Sequence, residues 1–405
     1  MLRVDPATAE AGAPATGAEM APTECLRVCS RCIYDAAVPG ISFDAEGVCN
    51  YCRQVDALTA QYGTGTRVGE RALEQIVADI KRAGTGRPFD CVVGVSGGTD
   101  SSFLLMKSIE WGLRPLAVHY DNTWNTAIAT ENIRKVTSAL GVKLFTHVID
   151  NRESEDLFRA FLRAGVPEFD ASTDIGFAQT LRMAAARFGI RYILEGHSFK
   201  AEGISPVGKN YFDGRYIADI HARYGTMRLK TFPNMTFWQF MKWIMLYRQQ
   251  FIRPLWYSDY SKPAARAILT EKTGWEYYGG HHLENRATCF LHTIYNPQKF
   301  GLDHRNLSLA AEVRAGLISR EEGLRRYRTP LAPDPELVAY VKKRLSLTDR
   351  EYDALLAGPK RSFRDFKTYK RRFERLRPLF YLLAKSNRVP MSFYLKYCFP
   401  FADAA

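Results

Sequence analysis

Residues 91–105 read CVVGVSGGTDSSFLL, from Cys91 to Leu105. A β-branched run over 89–95 leads into a turn of small residues, and from 101 to 111 the apolar spacing predicts a helix. Two chemistries share this pattern. Taken letter by letter, Gly94-Val95-Ser96-Gly97-Gly98 satisfies the G-x-S-x-G of a hydrolase nucleophile elbow. Such an enzyme wants a Gly-rich oxyanion loop upstream and an elbow midway through its sheet. Upstream of Ser96 stand only paired cysteines and one helix pattern, and 89–95 reads as the first strand. The second chemistry is a phosphate cradle. Gly97 and Gly98 let the backbone approach a ligand, and Thr99, Asp100, Ser101 and Ser102 open a helix whose free N–H groups favour an anion. No lysine stands where a Walker A loop needs one, so the cradle is not a γ-phosphate clamp.

Outward from this loop the pattern alternates. Strands are expected at 115–120, 143–149 and 191–194, and helices at 71–81, 126–140 and 175–188. That alternation predicts an α/β fold, a doubly wound parallel sheet. Ligands of such sheets bind beyond the carboxyl ends of the strands, where Asp121-Asn122 and Glu195-Gly196-His197 fall. From about 226 the chain turns aromatic and helical, with helix patterns at 262–273, 306–315 and 320–327. The expected organisation is a disordered tail (1–24), a zinc ribbon (25–60), the sheet domain (61–225), a helical aromatic substrate or interface region (226–330) and a basic helical region (331–405).

Four of the eight cysteines form Cys29-x-x-Cys32 and Cys49-x-x-Cys52. This is the paired-knuckle spacing of a closed Zn2+ site, and closed sites are structural. Cys25 stands beside the quartet as a substitute ligand, while Cys91, Cys289 and Cys398 read as buried small residues. The net charge of +13 suits any anionic partner, whether nucleic acid, nucleotide or membrane surface. Much of it lies at 360–377, where aromatics recur at helical spacing; a solvated basic face with its aromatics in the core is the plainest reading. No run is long and apolar enough to span a membrane, and the N-terminus has no signal-peptide pattern. A cytoplasmic protein is expected.

Ser96-Gly-Gly-Thr-Asp-Ser-Ser102 resembles the S-G-G-x-D-S pyrophosphate loop (PP-loop) of the ATP pyrophosphatases, adenine nucleotide alpha hydrolase-like enzymes. The resemblance implies that ATP is cleaved between its α- and β-phosphates, that AMP passes to a substrate oxygen, and that residues 96–102 hold the pyrophosphate. It also implies an acid near the nucleotide at the end of the second strand, matched by Asp121. A later turn near metal and phosphates is matched by Glu195-Gly-His-Ser-Phe-Lys-Ala-Glu-Gly203, which contributes Gly196 and Glu202. Ser96, Asp100 and Glu202 are the implied catalytic residues, with Asp100 and Glu202 on the Mg2+ side. The plainer reading of either acid is a helix-terminal or loop carboxylate.

The ribbon and loop, together with Tyr278-Gly-Gly-His-His-Leu-Glu-Asn-Arg286, Lys299-Phe-Gly-Leu-Asp-His-Arg305 and Gly316-Leu-Ile-Ser-Arg-Glu-Glu-Gly-Leu324, are similar to the N-acetyl sugar amidotransferases of O-antigen and flagellar sugar biosynthesis. The similarity runs over 29–327 and departs in the Ala/Pro-rich tail and at Cys289. It implies a nucleotide-linked sugar substrate and places His281, His282, Glu284 and Arg286 in substrate binding or proton transfer. Their alternative is a polar turn packed against the sheet. It further implies ammonia from a separate glutaminase with a delivery subunit, since no glutaminase motif surrounds the remaining cysteines. Nucleic acid has no part in this reading. Two others stay open: a tRNA-modifying PP-loop thiolase or ligase acting through an adenylated nucleobase, and a non-catalytic nucleotide sensor.

Overall fold

The computed structural model describes residues 27–204, 211–280 and 283–400. The expected tail, Cys25, His281 and His282 lie outside them.

Strands β1 (Cys91–Gly94), β2 (Pro115–Asp121), β3 (Leu144–Val148), β4 (Tyr192–Leu194) and β5 (Gln250–Ile252) form one parallel sheet in the order β3-β2-β1-β4-β5. Helices α1 (Asn50–Tyr62) and α2 (Arg67–Ala83) precede it; α3 (Thr99–Glu110), α4 (Ala127–Ala139), α5 (Asn151–Ala164) and α6 (Ala171–Arg187) link its first four strands; α7 (Phe199–Glu202), α8 (Gly214–Tyr224) and α9 (Phe237–Met241) precede β5; and α10 (Lys262–Thr273), α11 (Arg286–Phe290), α12 (Arg305–Arg314) and α13 (Arg320–Arg328) follow it. The central strand shows why both faces are covered. Cys91, Val93 and Val95 pack with Leu104, Leu105, Ile133, Val136 and Leu269 on one side. Val92 packs with Leu181, Ala184 and Ala185 of α6 on the other. Alternate residues thus enter different layers, and both are dry. The doubly wound sheet expected from the sequence is present.

The order of strand addition reverses at β1: β2 and β3 lie on one side of it, β4 and β5 on the other. The ends of β1 and β4 therefore flank a topological switch point, where open α/β sheets bind ligands.

Two elements differ from expectation. The fifth strand comes from 250–252, within the stretch expected to be helical, so the sheet extends past residue 225. Three residues are too few to show an alternation, and their aromatic neighbours favour a helical reading. Helix α5 is not announced in the sequence because its Arg-Glu-Ser-Glu-Asp start looks solvated. Instead Glu153 and Asp156 are buried and accept backbone N–H groups: Glu153 from Lys230, Thr231 and Phe232, Asp156 from Thr226 and Met227. Their charge pins the following segment to the core.

Candidate active site

The loop after β1 turns at Gly97, whose φ is +81°. A Cβ there would lie 2.2 Å from the Ala129 carbonyl oxygen, so a close approach and a left-handed backbone both call for glycine. Two side chains brace the outside of the turn. Trp275 Nε1 donates to the Gly97 carbonyl at 2.9 Å, and Asn132 Nδ2 donates to the same carbonyl at 3.4 Å and to the Glu276 carbonyl at 2.7 Å, while its Oδ1 accepts from the Glu276 N–H at 2.8 Å. Inside the turn, Ser96 Oγ accepts from the Gly98 N–H and lies 3.3 Å from Ser101 Oγ. Helix α3 starts at Thr99 with Gly98 as its N-cap and without a side-chain cap. Its first N–H groups thus face the loop as an anion cradle. Thr99 and Ser102 are buried in its first turn.

The nucleophile-elbow reading fails on geometry. The ring nitrogens of His119, the histidine on β2, are engaged elsewhere: Nδ1 donates to the Val95 carbonyl at 2.8 Å and Nε2 accepts from Asn125 Nδ2 at 3.0 Å. Burial holds its pKa below the ordinary imidazole value, so it stays neutral. Ser96 is bonded within its own loop rather than to an imidazole.

Asp100 lies in the first turn of α3 and Glu202 at the end of α7, and the two acids meet at Lys262, the first residue of α10. Lys262 Nζ lies 3.0 Å from Asp100 Oδ2 and 3.5 Å from Glu202 Oε1. Tyr260 O–H donates to Asp100 Oδ1. Burial works against the Asp100 charge, but the ammonium and these hydrogen bonds outweigh it and hold the carboxyl below its ordinary range. Burial likewise disfavours the Lys262 charge, and the two carboxylates more than offset it. A Mg2+ held by Asp100 and Glu202 would share them with this ammonium. Trp256 Nε1 donates to His197 Nδ1 at 3.3 Å, so the proton of His197 sits on Nε2, 3.6 Å from Glu202 Oε2. Gly196 permits the β4 turn to reach α3: a Cβ would lie 2.9 Å from the Asp100 carbonyl.

Asp121 ends β2, and its Oδ1 accepts the Thr123 N–H at 2.7 Å. Thr123 has φ +68°, an unfavourable conformation for a β-branched residue. Part of the Asp121 carboxylate is thus spent on holding that turn. Asn285 Nδ2 bridges Asn122 Oδ1 and Asn125 Oδ1 at 2.9 and 3.0 Å and ties the 284–286 segment across the end of β2. This brings Glu284 to the loop: a Cβ on Gly98 would be 3.5 Å from Glu284 Oε1 and 3.1 Å from Tyr278 O–H. Burial, then the Glu284 charge, push the Tyr278 phenol well above its ordinary pKa. Arg286 turns aside, its guanidinium 4.3 Å from the ring centre of Tyr340.

Tyr260, Lys262 and Trp275 join the site without being singled out by the sequence, and Tyr278 joins it as the first residue of the 278–286 segment, with no role assigned to it there. The signal for Lys262 is Ser261-Lys262-Pro263, a cap residue and a first-turn proline that mark a helix start.

The ribbon sulfurs converge. Cys29 and Cys52 Sγ are 3.9 Å apart, Cys32 and Cys49 Sγ 3.8 Å, and all four lie within 4.8 Å of one another and are buried. A tetrahedral zinc thiolate with Zn–S of about 2.3 Å has sulfur–sulfur edges of about 3.8 Å. The donor set fits Zn2+ with no position left open. The second knuckle is a helix start, with Cys49 as the N-cap of α1. The ribbon packs on Leu309 and Ala310 of α12 and on Leu324 of α13. Arg320 Nε donates to the Cys29 carbonyl at 2.9 Å, and Arg314 Nη2 lies 3.9 Å from Cys32 Sγ, both set to offset thiolate charge.

Residues 284–378 match the family described as "LPS biosynthesis protein WbpG-like, C-terminal domain". No curated protein matches the chain. Among solved structures it is similar to a predicted subunit of tRNA methyltransferase from Methanocaldococcus jannaschii DSM, at 14% identity over 45% of this chain and 76% of that one, TM-score 0.26. It is similar to the NMN synthetase from Francisella tularensis at 9% identity over 69% and 94%, TM-score 0.30. It is also similar to the NH3-dependent NAD synthetase from Campylobacter jejuni subsp. jejuni NCTC 11168, in complex with the nitrate ion, at 14% identity over 72% and 97%, TM-score 0.30. The chain's own strand order is that of a doubly wound parallel sheet, with a four-cysteine cluster ahead of it and, behind it, a segment that matches the WbpG-like family.

Proposed function

We propose that the chain is an ATP-dependent, AMP-forming amidotransferase that replaces the oxygen of an acetamido group on a nucleotide-linked sugar with ammonia. The observation that carries this reading is the convergence of an anion cradle, Glu284 and the Asp100–Lys262–Glu202 group at one switch point. The WbpG-like match supports a sugar-modifying role in surface polysaccharide biosynthesis.

An amide carbonyl is a poor electrophile whose oxygen will not leave. Attack of that oxygen on the α-phosphorus of ATP forms the O–P bond and expels pyrophosphate, turning the oxygen into part of an AMP leaving group. The loop N–H groups and the Ser96 and Ser101 hydroxyls stabilise charge on the departing pyrophosphate. Asp100 and Glu202 are set to hold Mg2+, which would neutralise the phosphates, and Lys262 keeps the two carboxylates ionised and in place. Ammonia then adds to the activated carbon, loses one proton and displaces AMP, leaving a cationic acetamidino group. Glu284 is placed to take that proton, and Asp121 and Gly196 frame the nucleotide. The other roles implied by the resemblance, substrate contacts from Arg286, His281 and His282 and a separate glutaminase with a delivery subunit, belong to the same proposal.

Cys91 is fully buried in the sheet and burial pushes its thiol pKa well up, while Cys289 is raised by burial too. Neither suits sulfur transfer, which disfavours the tRNA-thiolase alternative. Incubation with ATP, ammonium and a panel of UDP-diacetamido sugars tests the proposal. One sugar should exchange an acetamido oxygen for nitrogen, with AMP and pyrophosphate released. AMP formation dependent on tRNA, with no sugar changed, would replace it with the alternative.

A further inference from the structure

Residues 360–400 carry twelve Lys and Arg against two acids, Asp365 and Glu374, which is +10 of the chain's +13. Phe373, Phe380 and Phe393 of this stretch face inward as the sequence suggests and pack with Phe237, Phe240 and Ile244, while Tyr381 is exposed. Most of the charges face outward, Lys370 being buried with its ammonium on the Lys396, Tyr397 and Phe399 carbonyls, and they are not spread evenly. Arg215, Lys367, Arg371, Arg372 and Arg375 line a cleft of about 570 Å³, and Arg371 and Arg375 also line an adjoining one of about 560 Å³ with Arg377. Two acids lie beside these clefts: Glu374 is 3.6 Å from Lys370 and Asp219 is 3.9 Å from Lys367. Among the described residues, Arg371 and Arg375 form no ion pair. Like charges one helical turn apart repel, and an anion seated between them would remove that cost.

The same core cluster leaves large apolar side chains in solvent. Trp238 and Leu246 are 71% exposed and Leu382 64%, with Met245 and Leu395 also exposed. Arg388 Nη1 donates to the Ile244 carbonyl at 3.2 Å, so the basic turn after residue 385 abuts the backbone that presents Met245 and Leu246. Basic clefts alone would suit RNA as well as lipid. The aliphatic side chains decide between them: Leu246, Leu382, Met245 and Leu395 offer no stacking surface to bases, whereas aliphatic side chains with a tryptophan, set among Lys and Arg, are what an anionic bilayer interface takes up.

We propose that this surface docks the protein on a bilayer bearing anionic phospholipid. The clefts take headgroup phosphates, and Leu246, Leu382 and their apolar neighbours enter the boundary between headgroups and acyl chains. The attraction is strongest at low salt and falls as the Debye length shortens.

Co-sedimentation of the full-length protein with vesicles tests this. The protein should pellet with phosphatidylcholine–phosphatidylglycerol vesicles and not with pure phosphatidylcholine. Arg371→Glu with Arg375→Glu should weaken binding by about tenfold or more, while turnover of a soluble substrate stays unchanged. Leu246→Ser with Leu382→Ser should weaken it by about tenfold through lost apolar insertion, with the salt dependence retained. Circular dichroism confirms that the variants fold. Equal binding to both vesicle types, no binding at low salt, full binding by the leucine variant, or displacement of the vesicles by RNA would each overturn the proposal. So would a dimer that buries Leu246 and Leu382 and leaves vesicles unbound.

Discussion

Lys262 Nζ lies 3.0 Å from Asp100 Oδ2 and 3.5 Å from Glu202 Oε1, so one ammonium from the helix after β5 answers two acids carried by the loops after β1 and β4. Removing one partner of a buried charge group strands the others, at a cost of about 3–5 kcal/mol. Lys262→Met should lose that much in urea unfolding and lower turnover by about a hundredfold or more. Adding Glu202→Gln should restore part of the stability and none of the turnover. Wild-type rates in Lys262→Met would show that the group is only structural. The Asp100 contribution is present above its ordinary value of 3.8 and is lost as pH falls through its lowered pKa, so neutral pH leaves it intact.

Gly97→Ala should be destabilising by about 3 kcal/mol, since the residue has φ +81° and its new methyl would meet the Ala129 carbonyl. Trp275→Phe removes the bond to the Gly97 carbonyl and, because Trp275 is fully buried, leaves a cavity where the larger indole stood. It should cost about 2–4 kcal/mol and lower turnover, read by initial rates beside thermal unfolding.

The purified chain should hold about one zinc, bound by Cys29, Cys32, Cys49 and Cys52. Because the ribbon packs on α12 and α13, Cys49→Ser or a strong chelator should raise amide exchange over 305–328 as well as in the ribbon. A folded, metal-free preparation with protected α12 amides would contradict this.

Glu168 is buried and accepts the Tyr216 hydroxyl at 3.0 Å; burial raises its pKa from 4.5 to about 7 despite that bond. Between those values the native state binds more protons at this site than the unfolded chain, so the Glu168 contribution to stability is full below 4.5 and is lost as pH rises through about 7. Glu168→Gln keeps an acceptor for Tyr216 and should flatten that slope in urea titrations taken across the window.

The sheet, its direction and the loop are legible in the sequence because they are local. A β-branched run, a turn of small residues and a helix start are written within 89–111, and the ribbon within one cysteine spacing. The companions of the loop are not legible in this way. Lys262, Trp275 and Tyr278 reach it through a strand three residues long and the helix behind it, and nothing near 96–102 signals their arrival. Glu284 is singled out by resemblance, and the Asn122–Asn285 bond shows how it reaches the loop. Arg286 is singled out in the same way and packs on Tyr340 instead, because its backbone N–H is held by the Trp124 carbonyl on the β2 side.

The central claim is that the acetamido oxygen leaves with AMP. A substrate carrying a heavy-oxygen label in its acetyl carbonyl, turned over with ATP and ammonium, should deliver the label to the phosphate of AMP and leave pyrophosphate unlabelled. Label retained in the sugar, released to water, or accompanied by ADP and inorganic phosphate would contradict the account.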